Sequence, residues 1–198
     1  MVGGGHTLTP HQIKLPHKHT HLIFDFEDKS RLFFNDVRKF GYIKKIPAKN
    51  LPEIYAQYGI EPLTKNYTQE AFSKIFKNRK TTLKALLLNQ KNIAGLGNIY
   101  VDEACFRSGI RPDRLVKTLT KTEIKKLFEN CALVLDLSIK AGGTTFYNFT
   151  HSDGKSGNYF QKLQVFARAG KPCRQCGSSI QKIKIAGRGT HLCPQCQK

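Results

Sequence analysis

Acidic residues are scarce in this sequence. Its 198 residues include 14 Asp and Glu against 33 Lys and Arg, which gives a formal net charge of +19 at pH 7. The stretch from Gly154 to Lys198 has no acidic residue and nine basic ones, at Lys155, Lys162, Arg168, Lys171, Arg174, Lys182, Lys184, Arg188 and Lys198. Self-repulsion on this scale is tolerated when the partner is a polyanion, so the charge indicates nucleic acid. An anionic membrane surface is the weaker alternative, because the stretch contains no basic amphipathic helix with an aromatic face.

Long hydrophobic runs are also absent. No apolar run approaches the roughly 18 residues that a transmembrane helix needs. The first residues lack the apolar stretch of a secretory signal peptide, so we expect a reducing cytosol rather than secretion. The chain is long enough for one to two domains with a hydrophobic core.

Four of the six cysteines stand at metal-ligand spacing. Two Cys-x-x-Cys pairs with 16 residues between them are formed by Cys173, Cys176, Cys193 and Cys196. A two-residue gap turns both sulfurs of a pair toward one ion, and a second pair completes the tetrahedron that Zn²⁺ prefers. We therefore predict one structural Zn²⁺, with two disulfides as the alternative. Cys105 and Cys131 lie in apolar helical patterns and are expected to be small core residues.

The first part of the chain is predicted to be β-rich. Thr20–Phe26 alternates apolar and polar side chains, as a half-buried strand does, and Arg31–Phe34 is a second short strand after the turn Glu27–Ser30. A lone hairpin cannot bury its apolar face, so we expect this segment to belong to a larger sheet domain.

Residues 52–140 are predicted to be mainly helical. Thr68 can cap one helix, and Thr120–Glu123 forms a capping box at the start of the longest helix, which glycines 142 and 143 end. A loop rich in Gly, Ser, Thr and Asn follows over residues 142–158. Leu163–Ala167 is predicted to be a strand that leads into the metal site.

Three local motifs could contact a nucleic acid, and each has an ordinary alternative. Asn98 follows two glycines at a predicted helix start, where it could cap the helix and where free amides and the helix dipole can face a phosphate; the alternative is a simple turn. Arg188 lies between two glycines in the loop between the cysteine pairs and could bind a phosphate bidentately; the alternative is a solvated side chain.

Arg38 and Phe40 flank Lys39 after a strand and, in an extended segment, would project to the same side. That suits insertion into a base stack, and the alternative is a core Phe beside a solvated Arg.

Four blocks of the sequence together resemble formamidopyrimidine-DNA glycosylase, a family of bacterial base-excision repair enzymes. The blocks occur in family order over nearly the whole chain, at Lys18–His21, Asn35–Gly41, Gly95–Ala104 and Ala186–Gln197. The resemblance implies an α+β fold with a partial N-terminal β-sandwich, a helix–two-turn–helix domain and a C-terminal zinc ribbon with four cysteine ligands. It divides the chain into a β-sandwich remnant at 1–50, the helical DNA-binding domain at 51–142, a mobile lesion loop at 143–160 and a zinc finger at 161–198.

The resemblance also implies roles for single residues at a lesion whose base is flipped out of the stack. The residues that would fill the gap left by that base are Met1, Arg38 and Phe40. The residues that would clamp phosphates are Asn98 and Arg188. Two further DNA contacts would be Lys39, at the backbone, and Lys91, near the lesion. The lesion loop would include Thr144, Thr145 and Tyr159, and the metal ligands would be the four paired cysteines.

One part of the family pattern is missing from these residues. Family members start, after the initiator Met, with Pro-Glu. The resemblance implies that the proline amine attacks the sugar C1′ and forms a Schiff base, after which elimination of both flanking phosphates cuts the strand. This sequence starts with Met-Val-Gly, and its Met1 aligns inside the β-sandwich. We therefore expect no catalytic residue among the 198.

Two main hypotheses follow from this departure. In the first, the chain is an N-terminally truncated DNA glycosylase and AP lyase, which at full length excises oxidised purines. In the second, it is a non-catalytic remnant that binds damaged DNA. A third hypothesis, from another class, is a zinc-ribbon protein that binds RNA or a ribosome. The first two imply a monomer on damaged double-stranded DNA in the bacterial cytoplasm, associated with the nucleoid and with no membrane.

Overall fold

The computed structural model describes residues 15–144 and 157–198. The chain divides into two compact units and contains both helices and strands, in agreement with the predicted α+β class. The first unit comprises Met1–Pro47 and Ala141–Gln161, and the second comprises Ala48–Lys140 and Lys162–Lys198. The four-segment division drawn from the resemblance stays a prediction. No described helix is long and apolar enough to cross a membrane.

An antiparallel hairpin forms the regular part of the first unit. Strand β1, Thr20–Asp25, pairs with strand β2, Arg31–Asn35, in a register that places Leu22 opposite Phe34. The connecting turn is closed by the Phe26 amide, which donates to the Ser30 carbonyl at 3.0 Å. The predicted hairpin is therefore confirmed.

The hairpin leaves apolar side chains at the surface. Leu22 is 43 % exposed and Leu32 is 56 % exposed, and Ile23, which follows Leu22, is 40 % exposed. Because successive side chains of a strand point to opposite faces, both faces of the ribbon carry exposed apolar groups. The ribbon alone does not bury its apolar surface, as the sequence predicted.

Five helices and a second hairpin form the regular part of the second unit. The helices are α1 Leu51–Tyr55, α2 Gln69–Ile75, α3 Leu83–Leu88, α4 Asn98–Ser108 and α5 Lys121–Lys140. The C-terminal hairpin consists of β3 Gln181–Ile185 and β4 Arg188–Leu192. The main core of the second unit lies between helices α2 to α5, and its fully buried side chains include Phe72, Leu87, Ile93, Val101 and Leu127.

Side chains at the predicted positions cap two of these helices. The Thr68 hydroxyl accepts the Ala71 amide at 3.1 Å before α2. At the start of α5, the Glu123 amide donates to the Thr120 hydroxyl at 3.2 Å and the Thr120 amide donates to the Glu123 carboxylate at 2.8 Å. The predicted capping box is confirmed, and it satisfies amides that have no partner within the helix.

Cys105 and Cys131 are core residues, as predicted. Both thiols are fully buried in the main core. Burial raises the pKa of Cys131 to about 12 and raises that of Cys105 well above its usual range. Neither thiol is a thiolate near neutral pH, so neither is a nucleophile.

The predicted strand at Leu163–Ala167 is wrong, because this stretch forms turns. The amides of Gln164, Val165 and Phe166 all donate to the buried carboxylate of Glu103, at 2.9–3.0 Å. Consecutive amides that converge on one side chain cannot also donate to a β-ladder. A carboxylate on α4 therefore overrides the apolar pattern of this stretch.

Candidate nucleic-acid interface and metal centre

A glycine-containing loop leads into helix α4. Gly95 has a φ of +80°, in the left-handed region, and no atom lies within 4 Å of a β-carbon built on Gly95 or on Gly97. The Gln90 side chain holds the loop, since its carbonyl oxygen accepts the Gly95 amide at 2.9 Å and its amide donates to the Leu96 carbonyl at 3.1 Å. The backbone before α4 is thus both ordered and open to a close approach by another molecule.

Asn98 is the first residue of α4 and does not cap it. The residue at the capping position is Gly97, and no side chain bonds to the free amides there, so the predicted capping role is wrong. Instead, the Asn98 side-chain amide donates to the Gly189 carbonyl at 3.2 Å. Its Oδ1 atom is buried and has no hydrogen-bond partner among the described residues. The side chain ties the start of α4 to the C-terminal hairpin.

Arg188 lies beside this contact. A two-residue turn, Ala186–Gly187, joins β3 to β4 with φ angles of +48° and +73°, which is the backbone that suits a tight hairpin. Arg188 directly follows the turn and is exposed, and Gly189 is the next residue. The structure therefore brings together two of the predicted phosphate ligands, Asn98 and Arg188, at the N-terminus of a helix.

A buried ion pair that the sequence analysis missed fixes this arrangement. Lys84 of α3 and Asp102 of α4 are both fully buried, with Nζ and Oδ1 2.6 Å apart. Lys84 also donates to the Gly189 carbonyl at 3.2 Å, and the second oxygen of Asp102 accepts the His191 amide at 2.8 Å. One carbonyl thus accepts from both Lys84 and Asn98, so α3, α4 and the C-terminal hairpin converge beside Arg188.

Burial lowers the pKa of Lys84, and the Asp102 carboxylate opposes that shift. The Arg188 guanidinium lowers the pKa of Lys84 further, although its effect is smaller than that of burial. The signal in the sequence was a charged residue between apolar ones: Lys84 stands between Leu83 and Ala85, and Asp102 follows Val101. Such residues on the buried side of a helix require partners, and only the fold shows which ones.

The four paired cysteines meet in one cluster. Their sulfur atoms all lie within 4.8 Å of one another, with 3.9 Å between Cys173 and Cys196 and 3.4 Å between Cys176 and Cys193. A tetrahedral Zn²⁺ with Zn–S bonds of about 2.3 Å separates its sulfurs by about 3.8 Å. All four cysteines are free, and the separations are much longer than an S–S bond, so the disulfide alternative is wrong.

The thiols of the cluster have opposed pKa shifts. Hydrogen bonds from Ser178 lower the pKa of Cys176 to about 6. Burial raises the pKa of Cys193, and the neighbouring thiol of Cys176 adds to that effect. Sulfurs that are held this close without a positive charge are disfavoured as thiolates, and a bound dication removes that penalty.

The first unit contains a second group of predicted contacts. The segment after β2 is not extended as expected, because Lys39 adopts a φ of +54°. The Arg38 guanidinium carbon lies 4.6 Å from the centre of the Phe40 ring, and that ring is 77 % exposed. The alternative of a core phenylalanine is therefore wrong. A charged group and an aromatic ring stand together at the surface, as insertion into a base stack requires.

The remaining predicted residues are placed separately. Lys91 is exposed on the loop after α3, and its amide donates to the Asn89 side chain at 2.9 Å. Thr144 forms an isolated antiparallel bridge with Asn158, and Tyr159 is fully buried. Two predicted positions, Met1 and Thr145, lie outside the described residues.

Two family profiles match this chain. Residues 58–150 match the profile of the formamidopyrimidine-DNA glycosylase H2TH domain. Residues 170–198 match the profile of a zinc finger found in FPG and IleRS. The matched segments contain α4 and the four-cysteine cluster, respectively.

Relatives and solved structures share most of this chain. It is 43 % identical over 183 residues to the formamidopyrimidine-DNA glycosylase of Listeria monocytogenes serotype 4b, which covers 91 % of this chain and 67 % of the relative. The Brevibacillus brevis protein of the same name is 41 % identical, with 91 % and 66 % covered. The MutM (Fpg) structure from Thermus thermophilus superposes with a TM-score of 0.83 at 35 % identity, covering 92 % of this chain and 70 % of that one. Lactococcus lactis Fpg in complex with DNA that contains an abasic site gives a TM-score of 0.85 at 36 % identity, covering 92 % and 67 %. The chain spans about two thirds of the length of these proteins.

Proposed function

This chain belongs to the formamidopyrimidine-DNA glycosylase family, and from that membership we propose that it binds damaged double-stranded DNA at the junction of α4 and the C-terminal hairpin. The observation that carries the proposal is the Gly189 carbonyl, which accepts from both Lys84 and Asn98. That carbonyl holds Arg188 next to a helix N-terminus, where the dipole and the guanidinium attract the same phosphate. Arg38, Lys39 and Phe40 of the first unit supply a second set of contacts.

The charge of the chain supports a polyanionic partner. A net charge of +19 and a final stretch of 45 residues without an acidic side chain favour binding to phosphates. We propose a monomer that acts on DNA in the bacterial nucleoid. One Lactococcus lactis structure in the comparison is a complex with abasic-site DNA, and another contains an N7-benzyl-Fapy-dG lesion. An abasic-site analogue is therefore a suitable first ligand.

We further propose that the four-cysteine cluster holds one structural Zn²⁺. Such an ion would supply cross-linking and no reaction chemistry, because all four positions of the tetrahedron are occupied by protein sulfurs. Gly109 and Ile110 border the cluster from the end of α4, since the Lys198 amide donates to the Gly109 carbonyl and the Gln197 side chain donates to the Ile110 carbonyl. The cluster therefore anchors the C-terminal hairpin that carries Arg188.

Glycosylase and lyase activity belong to the proposal through the family alone. By the resemblance, the nucleophile is the proline of a Pro-Glu start, and these 198 residues contain no such start. We expect the 198-residue polypeptide to bind an oxidised-purine duplex without a borohydride-trappable Schiff base. A trapped covalent complex would show that another amine serves as the nucleophile, and it would rule out the non-catalytic alternative.

The binding proposal is tested by titrating the 198-residue polypeptide into a fluorescent duplex that carries an abasic-site analogue. We expect log K to fall linearly with log salt, by roughly 0.9 for each phosphate neutralised. Arg188→Ala should weaken binding by about 1.5–3 kcal/mol, the range for a hydrogen bond to a charged group. It should also reduce the salt slope by about 1.

The matched control is Arg79→Ala. Arg79 is exposed in the same unit, and its side chain donates to the Ile75 carbonyl at 3.1 Å. The two substitutions remove the same charge, so a difference between them isolates the position of Arg188. Equal small losses for both variants would contradict the clamp, and a flat salt dependence for the unsubstituted chain would contradict DNA binding itself.

A further inference from the structure

A single carboxylate organises the loop that follows β2. Asp36 Oδ1 accepts the amides of Arg38 and Lys39, both at 2.9 Å, and Oδ2 accepts the Gly41 amide at 2.5 Å. The Gly41 amide lowers the pKa of Asp36 most, so this carboxylate is charged throughout the neutral range. Three of the loop amides are therefore bound by one charged side chain.

Asp36 is itself anchored at both of its backbone groups, to His19 directly before β1 and to His21 within β1. Its amide donates to the His19 carbonyl at 3.0 Å, and its carbonyl lies 2.9 Å from His21 Nε2. The carboxylate thus connects a fixed strand end to the loop beyond it. A loop that is bound through one point of this kind depends on that point for its conformation.

The bound conformation is specific and tightly folded. Lys39 is held in the left-handed region at a φ of +54°, which side chains adopt rarely. A β-carbon on Gly41 would lie 2.8 Å from Phe34 Cζ and 3.0 Å from Asp36 Oδ2, so the chain returns closely to β2 at this residue. Phe40 is the one residue between these two constraints, and its side chain is exposed.

We infer that Asp36 is the positioning residue for Arg38 and Phe40, and that it orders their loop before DNA arrives. This inference rests on the proposed function of damaged-DNA binding. An aromatic side chain inserts between bases with less loss of conformational freedom when its backbone is already ordered. Asp36 contacts no DNA in this role and acts only through the amides of the loop.

The first test needs no DNA. Asp36→Asn keeps the size of the side chain but turns an N–H group toward at least one amide that needs an acceptor. We expect faster hydrogen exchange at the amides of Arg38, Lys39 and Gly41 in this variant, while the amides of β1 keep their protection. Unchanged exchange at the three loop amides overturns the inference, whatever the chain binds.

The second test is a double-mutant cycle with Phe40→Ala on a duplex that carries an abasic-site analogue. Asp36→Asn should lower affinity for that duplex by about tenfold and leave affinity for an undamaged duplex within about twofold. Because Asp36 and Phe40 act as one unit, Phe40→Ala should then have little further effect in the Asp36→Asn background. Equal losses from Phe40→Ala in both backgrounds overturn the inference.

Asp28→Asn is the control for charge. Asp28 is an exposed carboxylate of the same hairpin and accepts the Ser30 amide at 2.9 Å, so the substitution changes the net charge equally at a distance from the loop. It should leave discrimination between the two duplexes unchanged. If the unsubstituted chain binds neither duplex in a salt-dependent way, the proposed function fails, and hydrogen exchange alone then decides whether Asp36 orders the loop.

Discussion

Removal of the Asp102 carboxylate should destabilise the second unit strongly. Lys84 and Asp102 are fully buried, and the two atoms that pair are 2.6 Å apart. In Asp102→Asn the lysine keeps its charge but loses its counterion, and one of two donors, Lys84 Nζ or the His191 amide, must face an N–H group. Breaking one partner of a buried pair destabilises a protein by about 3–5 kcal/mol. Because domains are stable by only about 5–15 kcal/mol, that loss is a large fraction of the total.

The stability lost in Asp102→Asn should depend on pH in a definite direction. Burial lowers the pKa of Lys84 below its ordinary value of 10.5, and Asp102 opposes that shift, so the pKa falls further in Asp102→Asn. A lysine with a lowered folded-state pKa binds its proton more tightly in the unfolded chain, and stability then rises with pH up to the unfolded pKa. The difference between Asp102→Asn and the unsubstituted chain should therefore be smaller at about pH 9.5 than at about pH 7.

The measurement is urea unfolding followed by far-ultraviolet circular dichroism, which reports the helices. Lys84→Met/Asp102→Asn removes both charges and leaves an amide oxygen to accept the His191 amide. The loss in free energy of unfolding for this double variant should be about 1–3 kcal/mol smaller than the summed losses of Lys84→Met and Asp102→Asn. Asp136→Asn is the control, because the Lys140–Asp136 pair is at a similar distance, 2.7 Å, with its lysine side chain 71 % exposed. That control should lose at most about 0.5 kcal/mol.

Two results would refute this reasoning. The first is unfolding of Asp102→Asn at the same urea concentration as Asp136→Asn, which would mean that the buried pair contributes no more than a surface pair. The second is simple addition of the two single losses in the double variant, which would mean that Lys84 and Asp102 stabilise the fold independently of each other.

Two further predictions concern the metal cluster and α4. Cys193→Ser should release the metal and unfold the C-terminal hairpin, because metal binding and folding are one equilibrium there, whereas Cys131→Ala should retain the metal. Elemental analysis that finds one zinc per chain in Cys193→Ser would contradict this. Glu103→Gln should lower the free energy of unfolding by roughly 1.5–3 kcal/mol, the value for bonds to a charged acceptor, because its carboxylate accepts the amides of residues 164–166. Unfolding at an unchanged urea concentration would show that those amides find other partners.

Local patterns predicted the elements whose stabilising contacts are close in sequence. The hairpin of β1 and β2 follows from two short apolar segments on either side of the turn Glu27–Ser30, and the capping box of α5 joins residues only three apart, Thr120 and Glu123. The metal cluster was also predictable, because each Cys-x-x-Cys pair is a local unit and the second pair needs only to return to it. Resemblance to a known family then supplied the order of these parts.

Long-range contacts decided what local patterns could not. The stretch Leu163–Ala167 is apolar enough for a strand, but its amides bind a carboxylate about sixty residues earlier in the chain. No propensity scale contains that partner. The left-handed backbone of Lys39 was missed although its contact is short, since the Asp36 carboxylate that accepts the Lys39 amide is only three residues away.

The sequence by itself determined that this chain suits a polyanionic partner, that four cysteines stand at metal-ligand spacing, and that Asn98 and Arg188 are candidate phosphate ligands. These conclusions need only charge, spacing and residue type. Only the tertiary structure decided that Asn98 and Lys84 share the carbonyl of Gly189, the residue next to Arg188, and that Asp102 pairs with Lys84 beside them. The physical reason is that a buried charge needs a counterion and hydrogen-bond acceptors, and the fold supplies them from distant positions: Asp102 is 18 residues from Lys84 and Gly189 is 105.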